Sequence, residues 1–224
     1  MPSMADARHV RLRHPSRVRP LWVVLPFMAA AVACAPLPRP DVARPLSPPP
    51  GAVDPATAVW TIDPVHTRVL VAVDHLGVST SLGTLSGASG TLWLPESGWA
   101  GAMVDVTLPL ARLDFGDVDW NAAMQGGRWL DVATYPKAYF VAHVVEPRDE
   151  SRATVRGQLM LRGVTREVAL DVRRNTTRRH PLTLRRMTGF SATATLDRRD
   201  FGLTAFPSMV GTTVELRIEV EATR

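Results

Sequence analysis

Three histidines, His66, His75 and His143, are the side chains of this 224-residue sequence best suited by type to metal or acid–base chemistry. A transition-metal site needs ligands converging at about 2.0–2.2 Å, and close pairs such as HxxxH or CxxC are the usual way a sequence supplies them. Neither spacing occurs here. The histidines therefore read as hydrogen-bonded groups near the ends of strands, with His66 also serving the turn that starts at Asp63-Pro64, and no metal site is expected. Asp114, Asp117 and Asp119 gather around Gly116, but a calcium loop needs a longer run of oxygen ligands closed by a glutamate. They read as a solvated loop. No G-x-S-x-G elbow is present, and Ser86 and Ser89 lie in a glycine-containing turn where serine serves the backbone. No catalytic residue is expected.

The lone cysteine, Cys34, is informative by position. Arg8, Arg11, Arg13, Arg17 and Arg19 precede the apolar run 21–33, which ends in Ala31-Val32-Ala33 immediately before it. About 13 apolar residues are too few to span a bilayer core of roughly 30 Å, and suit the core of a signal peptide. Small residues ending at a cysteine resemble the lipobox of bacterial lipoproteins, in which the cysteine is lipidated and becomes the mature N-terminus. Ala31 departs from the larger aliphatic residue usual there, and a plain secretory signal is the alternative. Both readings export the protein. The expected division is a signal peptide over 1–33, a Cys34-anchored proline-rich tether over 34–57, and one globular domain over 58–224. Those five arginines, set against Asp6, account for most of the formal net charge of +5. The rest of the chain is close to neutral, which argues against nucleic acid as a partner.

The elements that position these residues read as strands. Val69, Val71 and Val73 alternate with Leu70, Ala72 and Asp74, and the alternation recurs at 103–108, 138–145, 153–162, 167–172, 188–196 and 212–222. Gly83, Gly87 and Gly90 mark a turn-rich passage, and Gly163-Val164-Thr165-Arg166 another turn. Residues 111–131 break the period and are expected to hold a short helical turn at Trp120 to Gln125, ended by Gly126-Gly127. The arginine-rich segment 173–187 is expected to be a loop. About eight strands with short links predict an all-β antiparallel sandwich or barrel.

Six local patterns then occur in order: Trp60-x-Ile62-Asp63-x-x-His66-Thr67 with His75; Gly83 with Gly90-Thr91-Leu92; Tyr135-Pro136-x-x-x-Phe140; Val155-x-Gly157-x-Leu159-x-Leu161-x-Gly163-Val164-Thr165; Gly189-Phe190-x-Ala192; and Arg198-x-Asp200-Phe201-Gly202. Together they resemble the YceI family of exported, lipocalin-like proteins over residues 58–222. The resemblance implies an extended eight-stranded antiparallel barrel around an apolar channel that holds a polyisoprenoid or similar long-chain amphiphile. The sequence departs from the family at 121–131, a region that the resemblance places where it could gate the channel.

Strand parity points Val69, Val71, Val73, Val104, Val106, Phe140, Ala142, Leu159, Leu161, Phe190, Ala192 and Leu216 inward, with Ala194 beside them. Trp60, His66 and His75 are expected near strand ends, where a head group would be met. A small barrel is either packed solid or holds one ligand, and parity alone leaves both open. The alanines suggest room, and the resemblance implies a cavity. The expected role is therefore lipid binding, with a bound polyisoprenoid or fatty-acid-like lipid and no required cofactor. The expected location is the bacterial periplasm, anchored to membrane through Cys34, and a homodimer is left open. A lipid-modifying enzyme using the same cavity, or a filled-barrel structural envelope protein, are the alternatives.

Overall fold

The computed structural model describes residues 57–224. The signal segment, Cys34 and the tether up to residue 56 lie outside the described residues. The strands are β1 Thr57–Ile62, β2 Arg68–His75, β3 Ser79–Ser86, β4 Ser89–Pro95, β5 Met103–Pro109, β6 Leu113–Asp114, β7 Lys137–Pro147, β8 Arg152–Leu161, β9 Val164–Arg179, β10 Arg186–Asp197 and β11 Val210–Thr223. One helix, α1 Val118–Gln125, lies between β6 and β7.

These segments make an eight-stranded antiparallel barrel. Hydrogen bonding runs β1-β4-β5-β7-β8-β9-β10-β11, and β11 pairs back onto β1 to close the ring. Three of the eight strands come in two lengths: β1 with β2, β3 with β4, and β5 with β6. Both β1 and β2 pair with β11, at Ile62↔Ala222 and Arg68↔Glu219, so residues 63–67 are an excursion within one long strand. Local chemistry makes the break. Pro64 has no N–H to give the ladder, and the Asp63 carboxylate accepts from the backbone N–H of Val65 at 2.8 Å and of His66 at 3.3 Å. Side-chain capping of that kind is what makes Asp a turn residue.

The expected helical turn is the helix α1. Asp117 caps it, accepting from Trp120 N–H at 2.8 Å, and its last turn closes at Gly126. Such a cap contributes about 1 kcal/mol. Asp114 accepts from Gly116 N–H at 2.8 Å and Asn121 Nδ2 at 2.7 Å, so two of the three clustered aspartates shape the chain here.

Three expectations are corrected. The arginine-rich segment 173–187 is not a loop: β9 runs to Arg179, β10 starts at Arg186, and only residues between them turn. Thr177 and Thr188 pair there through their hydroxyls at 3.0 Å, a ladder with polar side chains on both faces and therefore no hydrophobic period. The passage around Gly83 is strand β3, with Ser81, Gly83 and Leu85 inward. Its inward face looked unlike a core face because Gly83 is filled by another residue: a Cβ built there falls 2.8 Å from the Phe115 ring. The turn expected at 163–166 ends sooner, since β9 starts at Val164.

Candidate functional site

The barrel interior is not packed solid. It contains two adjoining chambers that share Val69, Leu108, Leu159 and Leu216 in their walls. The inner chamber has a volume of about 180 Å³. Val104, Val106, Phe140, Phe190 and Ala192 line it, and Thr67 supplies its only hydroxyl. Trp99 in the β4–β5 loop also lines it, tilted against Phe190 with centroids 6.1 Å apart and donating its indole N–H to Glu150 O at 3.2 Å. An apolar space of this order stays dry. The lie of Phe140 depends on Gly157 across the β7–β8 pair. A Cβ at Gly157 would fall 2.6 Å from the ring tip of Phe140 and 2.7 Å from the Ala142 methyl.

The mouth chamber is larger, about 380 Å³, and lies among β2, β3, β6, α1 and the segments around Trp129 and Phe206. Val71, Val73 and Leu161 line its apolar part. Asp74, His75, Ser81 and Arg198 bring polar atoms to it. Trp120, Phe206 and Met209 line it and are also exposed to solvent, so they mark its opening. Phe115 stacks on Trp120 at 5.0 Å and Trp129 on Phe206 at 6.1 Å. The segment 121–131 that departs from the family pattern thus forms part of this chamber's wall, through Ala123, Met124, Trp129 and Leu130.

Of the fifteen residues that parity and turns placed at the channel, twelve line one or both chambers: Val69, Val71, Val73, His75, Val104, Val106, Phe140, Leu159, Leu161, Phe190, Ala192 and Leu216. Three do not. His66 sits in the excursion with its side chain 60% exposed, and its Nδ1 bonds Asp63 Oδ2 at 2.9 Å. The strand expected to begin at His66 begins two residues later, so parity does not apply to it. Ala142 is inward and buried, but packs in the wall near Gly157 and meets neither chamber. Trp60 is 2% exposed yet meets neither chamber; the Arg224 guanidinium lies 4.8 Å from its ring centroid, and its indole N–H finds no acceptor among the described residues.

Some wall residues were missed although the same parity marks them: Val168, Leu170 and Val172 alternate through β9, and Val155 precedes Leu159 on β8. Arg198 carried no signal beyond its place in a short motif. It is 3% exposed, lines the mouth chamber, and donates to the carbonyls of Gly211 at 2.8 Å, Val210 at 2.8 Å and Leu203. Its neighbour Arg199 faces water and takes the Asp197 carboxylate through Nε and Nη2. That pair holds Asp197 down to about 2, through the Arg199 hydrogen bonds first and the Arg199 backbone N–H next.

His143, expected near a barrel end on an apolar face, is exposed on β7. The physical reason is plain alternation: Phe140 and Ala142 face inward, so His143 next to them faces out, on the same side of the strand as Val141. His66 and His75 lie on opposite sides of the β2 strand's length. Among the described residues no group of three or more His, Cys, Asp or Glu side chains is placed to hold a metal ion.

The pattern of the family described as the YceI-like domain matches residues 60–222. A UPF0312 protein of Pseudomonas savastanoi pv. phaseolicola is 31% identical over 156 residues, covering 70% of this chain and 80% of that protein. A UPF0312 protein of Pseudomonas putida strain W619 is 31% identical over 159 residues, covering 71% and 82%. Among solved structures, Burkholderia cenocepacia BcnA superposes with a TM-score of 0.65 at 20% identity, covering 71% of this chain and 98% of its own. A polyisoprenoid binding domain from Saccharophagus degradans superposes with a TM-score of 0.54 at 17% identity, covering 73% and 97%. At those identities the superpositions speak for the fold.

Proposed function

The chain belongs to the YceI-like domain family, and from that premise we propose that its barrel binds a polyisoprenoid or similar long-chain amphiphile, tail in the inner chamber and head toward the mouth. The observation that carries the reading is the pair of adjoining chambers, the inner one walled by apolar side chains and the outer one open and partly polar. The similar fold of a polyisoprenoid binding domain supports it. Ligand pockets commonly occupy about 300–1,000 Å³; the mouth chamber at about 380 Å³ is within that range, and the inner chamber lengthens it by about 180 Å³. A slender molecule running through both fits that arrangement better than a compact one.

Burying a methylene gains about 0.8 kcal/mol relative to water, so a long tail has ample drive to leave water. A bilayer solvates the same tail equally well, so selectivity rests on chamber shape and on the polar groups near the mouth. The role proposed is storage or transport of a lipid or quinone, or envelope stress tolerance, by a binding protein without a catalytic step. Mass spectrometry of an organic extract of the purified full chain tests it. One long-chain lipid per chain is the expected result. No extractable lipid, together with no uptake of an added prenyl quinone, prenol or fatty acid, overturns the reading and favours a structural barrel.

Export and anchoring are part of the same proposal and rest on the sequence around Cys34. One acyl chain gives marginal membrane binding, and two or more give stable anchoring. The wild type is expected to sediment with membranes and Cys34→Ser to be released to the soluble fraction. Recovery of a cleaved wild type and a cleaved mutant alike in the soluble fraction would end the anchoring proposal.

A further inference from the structure

Two adjacent arginines on one turn have opposite fates. Arg199 points outward and is satisfied by Asp197. Arg198 points inward, is 3% exposed, and forms no ion pair among the described residues. Neither sequence neighbour contacts it: the Asp197 carboxylate is bound by Arg199 and attracts Arg198 only through space, and Asp200 is exposed. The other charged or titratable groups of the mouth chamber are Asp74 and His75. Asp74 is exposed and its carboxylate accepts from Gly77 N–H at 3.0 Å, which closes the β2–β3 turn. His75 is half-buried at the end of β2.

A guanidinium carries five N–H donors in a planar fork. Three of those on Arg198 go to the carbonyls of Gly211, Leu203 and Val210, all neutral acceptors. Two are left, one on each terminal nitrogen, and the Trp129 ring covers one face with the Arg198 Cζ 5.5 Å from its centroid. An ion taken out of water without a counter-charge costs several kcal/mol, and carbonyl dipoles offset only part of that. The positive charge therefore stands in the wall of a largely apolar chamber with donors to spare and, among the described residues, no anion in contact with it.

We propose that Arg198 supplies the head-group specificity of this barrel, selecting an amphiphile whose head is an oxyanion, carboxylate or phosphate, over one with a neutral head. The inference rests on the lipid-binding reading and adds the class of head group to it. The fork geometry of arginine matches both oxyanions, and charge-assisted bonds of this kind are roughly twice as strong as neutral ones. The tail enters first, at Trp120, Phe206 and Met209, and goes on past Val69 and Leu216 into the inner chamber, and the head comes to rest in the mouth chamber at Arg198.

The test uses the delipidated full chain and two matched pairs of probes: geranylgeranyl monophosphate against geranylgeraniol, and palmitate against methyl palmitate, at neutral pH. The expected result is at least tenfold tighter binding of the charged member of one pair or both, and which pair responds tells phosphate from carboxylate. Less than tenfold preference in both pairs overturns the assignment while leaving lipid binding intact. No binding of any of the four overturns both this inference and the lipid-binding reading on which it rests. The wild-type ratios decide whether the barrel prefers an anionic head, and the variants decide whether Arg198 is the cause. Arg198→Met, checked for folding by circular dichroism, is expected to bring the ratio near one. Arg198→Lys, which keeps the charge and loses the fork, is expected to fall between. A folded Arg198→Met that keeps the full preference removes Arg198 from the role.

Discussion

Asp63 and His66 show how a residue picked out for chemistry turns out to hold a turn. The Asp63 carboxylate is held below its ordinary value near 3.8 by its bond to His66 first, then by the N–H groups of Val65 and His66. In return Asp63 raises His66 above 6.5, with Glu221 adding attraction at 4.0 Å. The raised histidine contributes stability that is full below pH 6.5 and lost as pH rises through its folded value. The lowered aspartate contributes stability present above pH 3.8 and lost as pH falls through its folded value. The pair is thus most effective between those limits. With the imidazole exposed, solvent screening keeps its effect on stability small. An NMR titration is expected to place His66 above 6.5 in the wild type and to return it close to 6.5 in Asp63→Asn. Coincident titration curves would show that the 2.9 Å contact does not persist in solution.

Between strands, Gly157 sets how β7 and β8 fit together. Replacing it with alanine reduces the freedom of the unfolded chain, which by itself stabilises by about 0.4–1 kcal/mol. The added methyl would meet Ala142, whose position is fixed by the backbone, and the ring of Phe140, which lines the inner chamber and would have to shift. Overpacking of this kind costs typically 1–3 kcal/mol, so the clash wins. Gly157→Ala is expected to lower the urea midpoint and to reduce lipid content at the same time. A stabilised variant with full lipid content would mean that the β7–β8 wall adapts freely. The helix α1 belongs to this scale too. None of its residues is buried, and it is held by the Asp117 cap and by Asn121, which bonds Phe115 N–H at 2.7 Å and Asp114 at 2.7 Å.

At the scale of the molecule, an apolar space of about 180 Å³ bears directly on stability. At about 24 cal/mol per Å³, leaving it empty costs roughly 4 kcal/mol. A domain of this size shifts its melting temperature by roughly 2–4 °C per kcal/mol, so removing a bound lipid is expected to lower it by on the order of 10 °C. Ala192→Leu, which adds methylenes to the inner chamber wall, is expected to raise the melting temperature of the stripped protein and to lower its lipid capacity. If stripping leaves the melting temperature unchanged, the chambers are not where the lipid resides.

Much of this fold was legible in the sequence because side-chain alternation in a strand is a local property. Val69, Val71 and Val73 had to share a face, and so did Leu159 with Leu161, whatever strand came next to them. The helix at Trp120 to Gln125 and its glycine stop were legible for the same reason. The signal failed where a strand leaves the core: 173–179 is polar on both faces and is held by pairing with β10, which no window along one strand contains. It failed at Gly83, whose place in the wall is filled by Phe115 thirty-two positions later. Alternation also could not tell that Trp60 and Ala142 stop short of the space that Val104 and Phe190 reach. Whether a chamber exists depends on the summed volumes of side chains from strands far apart in the chain, and only closure of β11 onto β1 brings those strands around one space. Tertiary structure likewise separated two adjacent arginines: the carbonyls of Leu203, Val210 and Gly211 hold Arg198 inward at the chamber, while Arg199 pairs with Asp197 in water, a difference that their shared residue type does not carry.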